Sequence, residues 1–491
     1  MAKKIIPVKG ISDRHQHGLI CTTDSDYASF ATKLYRESED HQKNLHMTDK
    51  EMTELITNLT LYYEDIVAEC GIWAGFVKNM QKQYGKILPF YPLDDKSYDT
   101  GEPHIEDIQF IIWLTLTKQH SERILYPKSP IIQSMAQAVF YHMDNDLDII
   151  PINDDLKDFF AKATFADKFY DMREVMKWFL FDCYISGNTL KNLNLCAHVA
   201  QTWAKSLNIE MPQAFYLAEC NVPFKLKTGP MALTPQEWLG QTLRVNGQEE
   251  IADKIENVKT LEFSAYQILK AKQGEDFQLM SIKNDVFNVS APNMGNPKSS
   301  DYQAQVVIGS FAKYGDEWFL NGDSFWSTHK EIYDRMKRDN DTQDPIEDKH
   351  VTELLKAENG QRLYFFKDYH DYAEFLINRL HFTQANVDKL KIEIEEKNIA
   401  LYIGTKGQLM TMPNGARCIC SKQNPFYDKA TAQKDALTVV LTCPPEFAEY
   451  LIVNHLLPDA ALNSHEGEEQ GNAIVQDNFD FLVKTFRPQD F

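Results

Sequence analysis

The sequence predicts a multidomain α+β protein: an N-terminal α-helical domain over residues 1–245, a small antiparallel β-barrel-like domain over 259–327, a charged helix and linker over 328–360, and an α+β domain over 361–491. Three observations carry that expectation. The chain has 491 residues, more than one hydrophobic core serves. Its apolar residues recur at roughly helical spacing before Lys259, alternate after it, and mix the two patterns toward the C-terminus. Its 43% apolar and 25% charged residues are the balance of a folded globular chain, far from the composition of disorder.

The helical part begins clearly at "MTDKEMTELITNLTLYYEDIVAEC". Thr48 followed by Glu51 is a capping box, in which the hydroxyl accepts from a free backbone amide and the carboxylate reaches back. Met52, Leu55, Ile56, Leu59, Tyr63 and Ile66 then fall on one stripe, and Gly71 is a plausible stop. "HIEDIQFIIWLTLTKQH" repeats the pattern at Ile105, Ile108, Ile112 and Leu116, with Pro103 suited to a helix start. "DKFYDMREVMKWFLFDCYISG" and "LNLCAHVAQTWAKSLN" add two amphipathic helices around the loop "SGNTLKN". These elements together read as a bundle.

Five β-rich runs follow: "TLEFSAYQILKAK", "EDFQLMSIK", "DVFNVSAP", "YQAQVVIGSFAKY" and "EWFLNGDSFW". Their short turns suggest a barrel or curled antiparallel sheet from Leu261 to about Trp326. A charged helix comes next, and "RDNDTQDPIEDKH", Arg338 to His350, reads as a solvated linker. In the last part "QRLYFFKDYHDYAEFLINRL" is a strand running into a helix, "TQANVDKLKIEIEEKN" a second helix, and "IALYIGTKGQLMTMP" two strands turning at Gly404 to Gly407. "KATAQKDALTVVL" and "PPEFAEYLIVNHLLPD" return to helix.

Charge and targeting exclude several function classes. With 51 basic and 71 acidic residues the net charge is −20, which opposes long-range attraction to a phosphate backbone. The short basic run "YDRMKR" is cancelled by the "DNDTQD" after it, so nucleic acid is not the expected partner. Neither a secretory signal nor a membrane span is expected. Eight dispersed cysteines read as reduced thiols in a cytoplasm.

Chemistry-bearing motifs are sparse. Cys418-Ile-Cys420 offers half of a zinc site, and Cys443, His455 and His465 are the nearest candidates for the other half. Cys443 has a structural role of its own before the Pro444-Pro445 helix start, so strand-end thiols are the plainer reading. His15 and His17 on an extended segment would point to one side and chelate, as in hydrolases that bind metal at a first barrel strand. The helical sequence downstream does not supply that barrel, and an exposed N-terminal loop is the alternative. Tyr314, Trp318 and Trp326 could form a stacking surface or fill the interior of the small barrel. No phosphate loop, nucleophile elbow, dinucleotide fingerprint or zinc-protease helix is present. No cofactor is expected.

"YYEDIVAECGIWAGFVKNMQKQYGKILPFY" from Tyr62, "IEDIQFIIWLTL" from Ile105, "NPFYDKATAQKDALTVVLTCPPEFAEYLIVNHLLPDAAL" and "VQDNFDFLVKTF" resemble a family of uncharacterised Bacteroidetes proteins, a domain of unknown function, over most of the chain. That resemblance implies a bacterial, cytosolic protein and carries no reaction to transfer. The run "SAYQILKAKQGEDFQLMSI" is also similar to small β modules that accompany zinc-binding SEC-C motifs, although the Cys418 pair lacks that motif's second half. The expected function is a non-enzymatic binding or scaffolding protein recognising a macromolecular partner, another protein. The alternatives are a hydrolase or nuclease-like enzyme with a site assembled from distant residues, metal-assisted at His15 and His17 or at the cysteines, and a nucleic-acid factor using the β module.

Overall fold

The computed structural model describes residues 5–16, 19–94, 96–119, 125–207, 209–341, 348–391, 397–457, 473–475 and 477–491. The chain divides into two compact units, one of Met1–Gln119 and Pro130–Gln343, the other of His120–Ser129 and Asp344–Phe491. The N-terminal helices and the first sheet therefore share the first unit, and a smaller α+β arrangement makes the second. The described helices include none long and apolar enough to cross a membrane.

Helix Asp49–Val67 is the organising element of the first unit. Its start is the expected capping box: the Glu51 amide donates to Thr48 Oγ1 at 3.3 Å and the Thr48 amide to Glu51 Oε2 at 2.6 Å. The stripe from Met52 to Ile66 is buried as expected. The opposite side is buried too, because helices Asp24–Glu37, Ile72–Tyr84 and Ile105–Gln119 all pack on this one. An amphipathic stripe reports one buried face only; here a second face, carrying Tyr62, Glu64 and Asp65, is enclosed as well.

Gly71 does not simply stop that helix. It takes φ +90° as the N-cap of helix Ile72–Tyr84, and Gly75 follows one turn later. A Cβ on Gly75 would lie 3.3 Å from the Gln241 carbonyl carbon and the Thr242 amide nitrogen, so the absence of a side chain lets helix Pro235–Val245 approach. Aromatic rings fill this junction, with Phe76 stacked between Phe110 at 5.3 Å and Trp238 at 6.3 Å.

The first sheet is antiparallel and curled into a half-barrel, in the order β3-β2-β1-β4-β5. β1 is Lys259–Lys270, β2 Phe277–Met280, β3 Val286–Val289, β4 Val306–Tyr314 and β5 Glu317–Leu320; β6, Phe325–Ser327, pairs with the start of β4. The run "EWFLNGDSFW" thus makes two strands, broken where Gly322 takes φ +110°. A register shift in β1 between Leu261 and Ser264, opposite Phe311 and Gly309, bends the sheet. One face encloses Tyr266, Phe277, Phe287, Val307 and Phe311; the other packs Ala265, Val306 and Ile308 on Tyr333 of helix Glu331–Asp341.

In the second unit β7, Leu363–Phe366, β8, Ile399–Ile403, and β9, Leu409–Met412, form an antiparallel sheet in that order. β8 and β9 turn where expected, with the Gly404 amide donating to the Gln408 carbonyl at 2.8 Å and Gly407 at φ +84°. Helices Tyr369–Leu380 and Asp348–Ala357 cover the sheet through Tyr372, Leu376, Val351 and Leu354.

Candidate metal centre

His15 is fixed by its predecessor. The Arg14 guanidinium donates to the Asp182 carbonyl at 2.9 Å and to Asn58 Oδ1 at 2.9 Å, while the Trp178 indole donates to the Arg14 carbonyl at 2.8 Å. That anchorage turns the His15 ring inward, where it is only 4% exposed. Its Nε2 lies 2.8 Å from Glu64 Oε2, on the enclosed second face of helix Asp49–Val67. Glu64 is itself gripped: Asn153 Nδ2 donates to its Oε1 at 2.7 Å, and Asn153 Oδ1 caps helix Asp154–Lys162 by accepting from the Leu156 amide at 3.0 Å.

The other ring nitrogen faces a thiol and a second carboxylate. Cys21 Sγ is 3.6 Å from His15 Nδ1, and Asp24 Oδ1 is 3.4 Å from it. Asp24 Oδ2 accepts from the Cys21 amide at 3.2 Å, whereas Oδ1, buried, has no hydrogen-bond donor. The segment carrying Cys21 is held from outside by Asp155, whose Oδ2 accepts from the Thr22 amide at 3.0 Å and hydroxyl at 3.1 Å. One ligand atom from each of His15, Cys21 and Asp24 lies within 4.8 Å of the others, and all three residues are buried.

Electrostatically the cluster is rich in negative charge. Burial alone would lower the His15 pKa, but the hydrogen bonds with Cys21 and Glu64 and the Glu64 charge outweigh it and lift it to about 10. Desolvation raises the Asp24 carboxyl, and His15 opposes that rise. One imidazole therefore faces two carboxylates and a thiol.

The family described as protein of unknown function (DUF3843) matches residues 9–275 and 321–487. The chain belongs to that family. No curated protein and no solved structure matches the chain. The matched stretches hold His15, Cys21, Asp24, Glu64 and Asn153, while the unmatched 276–320 spans β2 to β5.

The other sequence candidates have surroundings of their own. Cys418 is buried in a small apolar cluster with Ala432 and Ala436, and burial pushes its thiol up to about 11. Cys420 is exposed, with its amide donating to the Leu456 carbonyl at 2.7 Å. Cys443, buried, ends helix Lys429–Thr442 just ahead of helix Pro445–Val453, and burial pushes its thiol up to about 12. Among the described residues, no set of three metal-ligating side chains includes these cysteines. His17 and His465 lie outside the described residues. Tyr314 is buried with the Lys254 ammonium 3.9 Å over its ring, and Trp318 and Trp326 lie half-buried against Phe287 and Phe277.

What the cluster offers chemically follows from its spacing. For zinc bonds of about 2.0 Å to nitrogen and oxygen and about 2.3 Å to sulfur, a tetrahedron has N···O edges near 3.3 Å and N···S edges near 3.5 Å. The observed 3.4 Å and 3.6 Å fit those edges. Glu64 on Nε2 is the carboxylate that, behind a ligating histidine, fixes the ring and sharpens its basicity.

Proposed function

We propose that the protein is a metal-containing binding protein: a divalent transition-metal ion of the zinc type, held by His15, Cys21 and Asp24 and backed by Glu64, ties the N-terminal segment to the bundle. This departs from the expectation of no cofactor. The observation that carries the reading is the convergence of thiol, imidazole and unpaired carboxylate oxygen in a buried site, with both edges from His15 Nδ1 at tetrahedral spacing. A divalent ion there would also offset the two buried carboxylates, which a single imidazole cannot do. Of the metals, zinc suits a mixed sulfur, nitrogen and oxygen set best. The long, ring-rich chain without a nucleophile signature supports recognition of another protein as its role, and eight free cysteines fit a cytoplasmic setting.

Metal analysis of protein purified under reducing conditions, before and after reconstitution with zinc, tests the centre. About one equivalent per chain is expected, and substantially less in His15→Ala. Below about 0.1 equivalent in the wild type, even after reconstitution, the centre is an ordinary ion-pair cluster.

A second reading rests on the same atoms. Cys21, His15 and Glu64 stand in the order of nucleophile, base and orienting carboxylate. Against it, Cys21 is only 5% exposed, which leaves a substrate no open approach to its sulfur. Rapid alkylation of Cys21 in native, metal-loaded protein would favour the enzyme.

A further inference from the structure

Gln16, the residue after His15, lies in the wall of a cleft of about 520 Å³. Its wall is built by Gln16, by Phe159 and Phe165, and by the acidic side chains Asp167, Asp171 and Glu174, with Lys168, Thr164 and Val175 completing it. Its volume falls in the ordinary range for ligand sites. Two features distinguish it from a chance groove. Gln16 is only 2% exposed, and neither its Nε2 nor its Oε1 has a hydrogen-bond partner. Buried amides are almost always paired, so the unpaired donor and acceptor of this wall residue are two hydrogen bonds that a ligand amide would supply once the wall yields to it. The carboxylates at the mouth are also unevenly paired. Glu174 is engaged by Lys177 at 3.1 Å and Arg173 at 3.4 Å, and Lys168 reaches Asp171 only at 3.9 Å. Asp167, exposed, has no ion-pair partner among the described residues.

We propose that this cleft binds a basic peptide segment, one lysine or arginine side chain with its adjoining backbone amide. Gln16 pairs with the amide, Phe159 and Phe165 cover the aliphatic stem, and Asp167 and Asp171 face the cation. The proposal deepens the protein-recognition part of the reading above and is independent of the metal, so metal content and peptide binding fail separately.

The test uses the full chain as purified, in calorimetric titrations with N-acetyl-lysine N-methylamide, its neutral norleucine counterpart, and 1-aminopentane, which has the single charge without the amide. Saturable binding of the lysine probe is expected, with both controls weaker by about tenfold. Changing the exposed pair in Asp167→Asn/Asp171→Asn should weaken the lysine probe by about tenfold and leave the norleucine probe unchanged. Gln16→Leu should weaken both amide probes alike and spare the monoamine. A capped pentapeptide with a central lysine should bind at least as tightly as the single residue. Equal binding of lysine and norleucine probes, indifference to Asp167→Asn/Asp171→Asn, a weaker pentapeptide, or no saturation by about 10 mM of the lysine probe would each overturn the proposal.

Discussion

Glu64 Oε2 and His15 Nε2 stand 2.8 Å apart across 49 residues of sequence, both side chains withdrawn from solvent. This contact decides which ring nitrogen is left to face Cys21 and Asp24. With Nε2 held to the carboxylate, Nδ1 is left facing the thiol and the unpaired Asp24 oxygen, and a metal ion bound there would replace the Nδ1 proton.

Glu64→Gln keeps an acceptor for Nε2–H but removes the charge behind it. Zinc affinity, measured by competition with a chromophoric chelator, should fall about tenfold, and about a hundredfold in Glu64→Ala, where the ring loses its support. Equal affinity in wild type and Glu64→Ala would show that Glu64 does not position the ligand.

Cys21→Ser should fold, because the side chain is nearly isosteric, but lose the sulfur ligand. Cobalt loaded into the wild type should show a thiolate-to-cobalt charge-transfer band in the near ultraviolet, and that band should be missing from the Cys21→Ser spectrum. A band of undiminished strength in the variant would place the sulfur ligand elsewhere.

Asn153 serves two elements at once, capping helix Asp154–Lys162 and clamping Glu64. Removing a cap costs about 1 kcal/mol, and unpairing a buried carboxylate oxygen costs about 1–3 kcal/mol more. Asn153→Ala should therefore lower urea stability by about 2–4 kcal/mol in metal-free protein. A loss no larger than that of an ordinary cap would mean the clamp on Glu64 contributes little.

Much of the fold was legible because its signals are local. The Thr48 and Glu51 box, the stripe from Met52 to Ile66, the change of period at Lys259 and the Gly404 turn each lie within a few residues of the structure they specify. The centre was legible only in part. His15 was singled out for pairing with His17, yet its partners in the structure are Cys21 and Asp24, from the start of the next helix, and Glu64. His15, Cys21 and Asp24 fall within ten residues, which was the available signal. Glu64 could not be found by periodicity, since it sits off the apolar stripe at a position that reads as solvent-facing until helices from both sides enclose it. Nor does the double use of Asn153 show in sequence, because one of its partners is 89 residues away.

Asp107 makes the pH dependence of stability testable away from the proposed metal centre. Its carboxyl is fully buried and accepts from the Tyr62 hydroxyl at 2.7 Å and the Tyr98 hydroxyl at 3.0 Å. Burial pushes its pKa from 3.8 up to about 8, with the two tyrosine hydrogen bonds opposing the rise. Between these values the folded protein holds a proton that the unfolded chain has released. The contribution to stability is therefore fully present below about pH 4 and declines as pH rises toward 8, by at most about 1.4 kcal/mol per pH unit. Asp107→Asn stays neutral at every pH and keeps an acceptor for the tyrosines, so it lacks that decline. Urea unfolding of both proteins at about pH 5.5, 7 and 8.5 isolates the effect, because other titrating groups, Asp65 among them, are common to both. The wild type should lose stability relative to Asp107→Asn as pH rises, most steeply between pH 5.5 and 7. A difference that stays constant across the three values would mean that Asp107 is already ionised in the folded state, held so by its two tyrosines.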